Sequence, residues 1–287
     1  MKTLIIGGTG TVGSRTVHAL LERGIDVRVM TRSEDKIDAL PEGAEGIVGD
    51  LEAPDTLPAA FDGVDSLFLI APVSPNETEQ GLAGVEAAQE AGIEKIVYMS
   101  VAMPDGSERI PHFRSKIPVE DAVRDSGIGF TIVRPNNFFQ NDLWITNAIL
   151  QYGIYPQPIG SAGLNRVDVR DIAEVVARAL TQSGHEGKTY GLHGPDVLTG
   201  PDCAAIYSRH LGREIRYGGD NLEAWAEQAS NMMPNWLVED MVIMYEYFQQ
   251  HSMQATDEEL AELTDVLGRS PRSYDTFVAE IVPSITA

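Results

Sequence analysis

The segment Gly7-Gly8-Thr9-Gly10-Thr11-Val12-Gly13 constrains this chain more than any other. It follows the apolar run Leu4-Ile5-Ile6 directly. It opens a stretch, Thr11–Arg23, that places Val17, Leu20 and Leu21 on one helical face and stops at Gly24. A glycine pattern carries weight in this context, between an apolar strand and an amphipathic helix. The spacing is G-x-x-G-x-x-G, one residue wider at the front than the dehydrogenase G-x-G-x-x-G, and the physics is the same. Gly7 permits a tight turn, Gly10 lets a pyrophosphate approach the backbone, and Gly13 lets the helix pack closely on the strand. The helix N-terminus adds free N–H groups and partial positive charge. Thr9 and Thr11 offer hydroxyl donors, and Val12 lies within the same turn. The segment reads as a dinucleotide-binding turn.

The alternation continues through the first 190 residues. Strands are expected at Thr3–Ile6, Asp26–Thr31, Glu45–Val48, Ser66–Ile70, Lys95–Ser100 and Gly129–Arg134, several dense in Val, Ile and Leu. Helices are expected at Thr11–Arg23, Thr78–Ala91, Val119–Arg124 and Asp171–Thr181. Strand–helix alternation with right-handed crossovers gives a doubly wound parallel sheet. The last hundred residues differ, with helical patterns at Asp202–Leu211, Leu222–Gln228, Pro234–Gln249, Asp257–Leu267 and Ser273–Ile281. The expected architecture is α/β: a doubly wound parallel-sheet Rossmann domain over 1–190 and a smaller, mostly helical C-terminal subdomain over 191–287. Residues 138–165 are expected to contribute to the substrate cleft, and the C-terminal part to form a lid.

Ligands on such sheets bind beyond the carboxyl ends of the strands. The second strand ends at Thr31-Arg32-Ser33, with no Asp or Glu to hold ribose hydroxyls; Arg32 suits a 2′-phosphate. NADP(H) is therefore expected over NAD(H), which remains possible. Asp50 and Leu51 follow the third strand, and the Asp50 carboxylate reads equally as an adenine acceptor or as a cap. Ala71 and Pro72 end the fourth strand, where small residues admit the cofactor. Ser100 ends the fifth and is expected at the nicotinamide end. His112, Lys116 and Glu120 share one face if the segment is helical, although Pro118 is tolerated only in a first turn, which starts the helix near Ser115. Lys116 can orient the cofactor, polarise an oxygen or donate a proton; the plainer reading is a Lys116–Glu120 helix pair. His112 is open between a catalytic and a local role. Pro135 and Asn136 end the sixth strand along the expected site. Asn137 can bind polar substrate groups there, and Phe138, Phe139 and the aromatic lid around Trp236 can hold a planar ring.

Composition narrows the partners. The chain has 43 acidic against 21 basic residues, a net charge of −22, which disfavours nucleic acid and anionic lipid. A salt-rich habitat and an ordinary acidic surface both explain that charge. A single cysteine, Cys203, rules out an intrachain disulfide. The six histidines are scattered, so no metal is expected. No stretch reaches a membrane span's length and the N-terminus reads as a first strand, so the expected location is cytoplasmic and the partner a small molecule. A monomer and a homodimer are both open. No G-x-S-x-G elbow and no P-loop lysine are present.

Taken together, these residues resemble the NmrA-like family of atypical short-chain dehydrogenase/reductases. The resemblance rests on Gly7–Gly13, Thr31-Arg32, Gly49-Asp50-Leu51, His112…Lys116…Glu120, Ile132–Asn136, Val167–Ala173 and the closing stretch 256–274. It implies a Rossmann domain with a small substrate domain and a range of roles: reductases of quinones, azo dyes, triphenylmethane dyes and plant phenolics, and non-catalytic redox sensors. Typical short-chain dehydrogenases carry Tyr-x-x-x-Lys; here His112 stands at the Tyr position and Lys116 matches the Lys. Losing the phenol argues against ketone chemistry and leaves direct hydride delivery to a planar conjugated acceptor. The resemblance thus implies an NADPH-dependent reductase. The alternatives are an NADP(H)-binding sensor acting through a protein partner, and a secondary-metabolism tailoring enzyme on the same fold.

Overall fold

The computed structural model describes residues 1–286. In chain order the elements begin β1 (Lys2–Ile6), α1 (Thr11–Leu21), β2 (Asp26–Thr31), β3 (Ala44–Val48), α2 (Leu57–Phe61), β4 (Ser66–Leu69), α3 (Glu77–Glu90) and β5 (Lys95–Met99). They continue with α4 (Pro111–Arg114), α5 (Ile117–Asp125), β6 (Gly129–Pro135), α6 (Thr146–Tyr152), β7 (Ile154–Tyr155), α7 (Val169–Thr181) and β8 (Lys188–Leu192). The chain closes with α8 (Gly200–Leu211), β9 (Arg216–Tyr217), α9 (Leu222–Ala229), α10 (Asn235–Gln250), α11 (Asp257–Leu267) and α12 (Tyr274–Thr286).

Seven strands form one sheet in the order β3-β2-β1-β4-β5-β6-β8. The registers from β3 to β6 are all parallel, with Ile5 opposite both Val29 and Phe68 at the centre. The order reverses between β1 and β4, and ligands of such sheets bind at that switch point. One sheet face carries Leu4, Ile6, Leu67, Leu69, Ile96 and Ile132, all buried with Phe61, Val85, Val119 and Val123 of the covering helices. On the other face Ile5, Val29, Phe68, Val97 and Val133 are also buried, and α1 packs beside α7. Burial on both faces explains why the strands read as continuous apolar runs rather than alternating ones. The expected doubly wound Rossmann architecture is present. β8 is an added seventh strand: its Lys188-Thr-Tyr-Gly-Leu192 sequence is too mixed to stand out from the Gly- and Pro-rich stretch that follows it.

Two compact units divide the chain, and the division is discontinuous. The first is Met1–Ala102, His112–Pro135 and Val169–Gly191; the second is Met103–Pro111, Asn136–Asp168 and Leu192–Ala287. The single boundary expected at 190/191 thus gives way to a second unit that recruits two segments from within the sheet-forming region. The second unit is mostly helical, as expected, with a small β7–β9 ladder. Two of its helices, α8 and α11, begin with reciprocal capping boxes, Thr199 with Asp202 and Thr256 with Glu259. Its core is aromatic and carries a charge pair: Arg166 and Asp142 are wholly buried and bonded at 2.8 Å. The Arg166 guanidinium also lies 5.1 Å from the Tyr274 ring centroid.

Candidate functional site

The turn after β1 has the geometry that a phosphate cradle needs. Gly7 takes φ +81°, a left-handed conformation open to glycine, and Gly10 N–H closes the turn by donating to Gly7 O at 3.0 Å. A Cβ on Gly13 would lie 2.2 Å from Gly7 O and 2.8 Å from Gly8 Cα, so the first turn of α1 lies directly against the turn backbone. A Cβ on Gly10 would meet Gly7 O at 3.3 Å and nothing closer, and the Gly10, Thr9 and Thr11 residues are exposed. Val12 is buried, so it contributes packing and backbone to the cradle.

A cleft of about 250 Å³ opens here, lined by Gly7, Thr9, Gly10, Arg32, Asp50, Leu51 and Pro72 among others. The sheet order therefore brings together residues from the ends of β1, β2, β3 and β4. Arg32 does not stand alone, because Lys36, at the end of the 3-10 turn after β2, lines the same cleft. Two exposed cations at this position in so acidic a chain fit a phosphate group. Lys36 carries a sequence signal of its own: a second cation four residues beyond Arg32, just past a strand end. Gln80 and Thr31 also line the cleft. Asp50 resolves towards local structure, since its Oδ1 accepts from Glu52 N–H at 3.0 Å. Ala71, Ser100 and Pro135 are buried. They lie outside the cleft lining, as do Thr11, Val12, Gly13, Lys116 and Asn136. The site fits a dinucleotide phosphate end: a glycine cradle against which α1 packs directly at Gly13, a helix N-terminus, and two cations beside the second strand.

The expected helical face of His112, Lys116 and Glu120 is not continuous. Pro118 falls in the first turn of α5, which starts at Ile117, so α4 and α5 are separate and Lys116 is the N-cap. Lys116 is 8% exposed and bonds its ammonium to Glu77 of α3, not to Glu120. Ser115 Oγ donates to the other oxygen of Glu77 at 2.9 Å. Glu120 instead receives Arg134 Nε at 2.9 Å and both Arg134 Nη2 and Arg124 Nη2 at 2.6 Å. Burial pushes the Glu120 carboxyl up, but hydrogen bonds from Arg134 and Arg124 outweigh it and hold the group below the ordinary glutamate value. Tyr98 rises from β5 between these acids. Burial, then the charges of Glu77 and Glu120, keep its phenol neutral far above the usual range. His112 is half-buried, with its ring edge-on to Phe113 at 4.8 Å.

In the second unit the aromatic expectations divide. Phe139 is fully buried, 5.1 Å from Tyr274 and 5.6 Å from Phe277 between ring centroids. It is a core residue, and the expectation that it offers a face to a substrate is corrected. Phe138 and Asn137 are half-buried and Trp236 is 37% exposed, so these keep accessible surface. Asn136 is spent internally, donating to Met253 O at 2.8 Å and accepting from Asn137 N–H at 2.7 Å. Among the described residues no acidic, His or Cys group is clustered to hold a metal, and no helix is long and apolar enough to cross a membrane.

Comparisons with known proteins agree with this geometry. A NAD(P)H azoreductase of Xenophilus azovorans is 34% identical over 278 residues, covering 96% of this chain and 96% of that protein. A (4-alkanoyl-5-oxo-2,5-dihydrofuran-3-yl)methyl phosphate reductase of Streptomyces griseus is 35% identical over 216 residues, 75% of each chain. Among solved structures, a Citrobacter sp. triphenylmethane reductase superposes with a TM-score of 0.87 at 25% identity, over 99% of this chain and all of that one. The profile of the NmrA-like family matches residues 1–278. A glycine cradle at the switch point of a doubly wound sheet and a family match along nearly its whole length make one conclusion: the chain belongs to the NmrA-like family.

Proposed function

We propose that this protein is an NADPH-dependent reductase of planar, conjugated small molecules of the quinone, azo or triarylmethane kind. The observation that carries the reading is the cleft at the head of the sheet, where the glycine cradle and the Arg32–Lys36 pair meet. Gly7, Thr9, Gly10 and the N-terminus of α1 would hold the pyrophosphate, and Arg32 and Lys36 the 2′-phosphate. When bound, NADPH supplies a hydride from its nicotinamide C4.

The chain's own residues do the rest. Lys116 places a buried, charged donor in the first unit, where it orients the cofactor and offsets negative charge developing on the acceptor. His112 precedes it in the chain by one helical turn and stands where typical short-chain dehydrogenases carry a tyrosine, so the usual phenolic acid for a ketone is missing. Conjugated acceptors tolerate this, because the electrons delocalise and water can supply the proton. Phe138 and Trp236 retain the accessible aromatic surface that stacking on a planar acceptor needs.

The test is oxidation of NADPH, followed by its near-ultraviolet absorbance, against panels of quinones, azo dyes and triphenylmethane dyes, with Lys116→Ala beside the native protein. The expected result is turnover that falls about 100-fold or more in the variant while NADPH affinity changes little. NADPH binding with no turnover on any acceptor would refute the reductase and leave the sensor; equal losses of turnover and affinity would remove Lys116 from the chemistry.

A further inference from the structure

Lys116 is the residue on which the proposed reaction leans, yet its ammonium sits on a long, flexible stem. Its backbone is fixed by the start of α5, where Glu120 N–H donates to Lys116 O at 2.9 Å. The backbone does not fix the side chain. That task falls to Glu77, the first residue of α3, 39 positions earlier and 1% exposed. One Glu77 oxygen accepts from the Lys116 ammonium and the other from Ser115 Oγ at 2.9 Å, so both are used by neighbouring residues of one segment. Thr78 Oγ1 adds a second clamp by donating to Ser115 O at 2.8 Å. A carboxylate at the first turn of α3 is also favoured by the helix dipole.

Several features set this pair apart from ordinary surface ion pairing. Both partners are buried, whereas most of the chain's other lysine and arginine pairs are partly exposed. Glu77 also closes the loop that leaves β4 through Ile70 and Pro72, two residues lining the cofactor cleft. Glu77 therefore follows the cleft wall in the chain, while its carboxylate holds Ser115 and Lys116. A buried carboxylate with no partner is costly, and so is a buried ammonium, so each holds the other in one place.

We propose that Glu77 is the positioning residue for Lys116: it touches neither cofactor nor substrate, and it acts by fixing the ammonium in the one orientation that serves turnover. The proposal rests on the role given to Lys116 above.

The experiment is a double-mutant cycle of Glu77→Gln, Lys116→Met and the pair, read by kcat, NADPH dissociation constant and thermal unfolding. Gln keeps shape and an acceptor oxygen but removes the charge. The expected result is a kcat about 10- to 100-fold lower in E77Q, NADPH affinity within a few-fold of native, and no further loss from E77Q in the K116M background. A loss that persists in that background shows that Glu77 acts through general structure and overturns the proposal, as does native kcat in E77Q. A K116M protein with native turnover removes the role of Lys116 itself, a failure visible in the single variant. A second readout needs no activity. The chain has five lysines, so labelling lysine alone with 15N resolves the ammonium of Lys116, assigned by its loss in K116M. Its slowly exchanging signal should be present in the native protein and shifted or lost in E77Q; an unchanged signal overturns the proposal.

Discussion

Gly10 and Gly13 lie three residues apart in one turn, and the structure gives them different jobs that a pair of alanine substitutions can separate. At Gly13 an added Cβ would stand 2.2 Å from Gly7 O, 2.7 Å from Gly7 C and 2.8 Å from Gly8 Cα. All three neighbours are backbone atoms, so the helix and the turn must part by about 1 Å, and overpacking of this kind costs about 1–3 kcal/mol. The higher end applies, since no flexible side chain can give way; alanine's better helix propensity returns about 1 kcal/mol. The net is about 2 kcal/mol, or a fall of roughly 3 °C in unfolding temperature for a chain of this size. NADPH affinity falls as well, because the N–H groups of the cradle move with the turn. At Gly10 the backbone has φ −84° and ψ 178°, ordinary extended geometry for alanine. There the new Cβ meets Gly7 O at 3.3 Å and otherwise points at open space. Gly10→Ala should therefore unfold within about 2 °C of native yet bind NADPH about 10-fold or more weaker, since the methyl occupies the path of the pyrophosphate. Calorimetry and fluorescence titration on both variants measure the two effects. Native NADPH affinity in Gly10→Ala would refute the assignment of the cradle; an undisturbed unfolding temperature in Gly13→Ala would refute the packing argument.

Replacing both Arg32 and Lys36 by Ser should weaken NADPH binding about 10- to 100-fold, from roughly 1 kcal/mol for each exposed charge–phosphate contact, while NADH binding stays near native. A parallel loss for both cofactors would show that the two cations do not read the 2′-phosphate. Acid stability should track Glu120. Its folded carboxyl titrates below the unfolded one, so its contribution is complete above about pH 4.3 and is lost as pH falls through the folded value. Thermal unfolding measured from neutral to acid pH should show that loss in the native protein and a shallower acid limb in Glu120→Gln, and parallel limbs would contradict it.

Much of this was legible in the chain itself. The strand–turn–helix at Gly7–Gly13, the apolar runs from Leu4 to Val133 and the cation at Arg32 are local signals, written within a few residues of one another, and local geometry follows from them directly. The break between α4 and α5 was half legible: Pro118 requires a new helix start, and the structure places it at Ile117. The seventh strand was not legible, because β8 has no distinctive pattern; the cleft role expected for 138–165 falls within Asn136–Asp168 of the second unit, but its recruitment of Met103–Pro111 depends on packing that no local pattern shows.

The sequence by itself determined a nucleotide-binding Rossmann sheet, its glycine cradle and its preference at the second strand, since each depends on neighbours along the chain. Only the tertiary structure decided the partners of the charged groups. It gave Lys116 to Glu77 rather than Glu120, gave Glu120 to Arg134, and sank Phe139 among Tyr274 and Phe277. Those choices join residues far apart in the chain. In a buried setting, where an unpaired charge is costly, the partner is whichever opposite charge the packing of helices brings within reach.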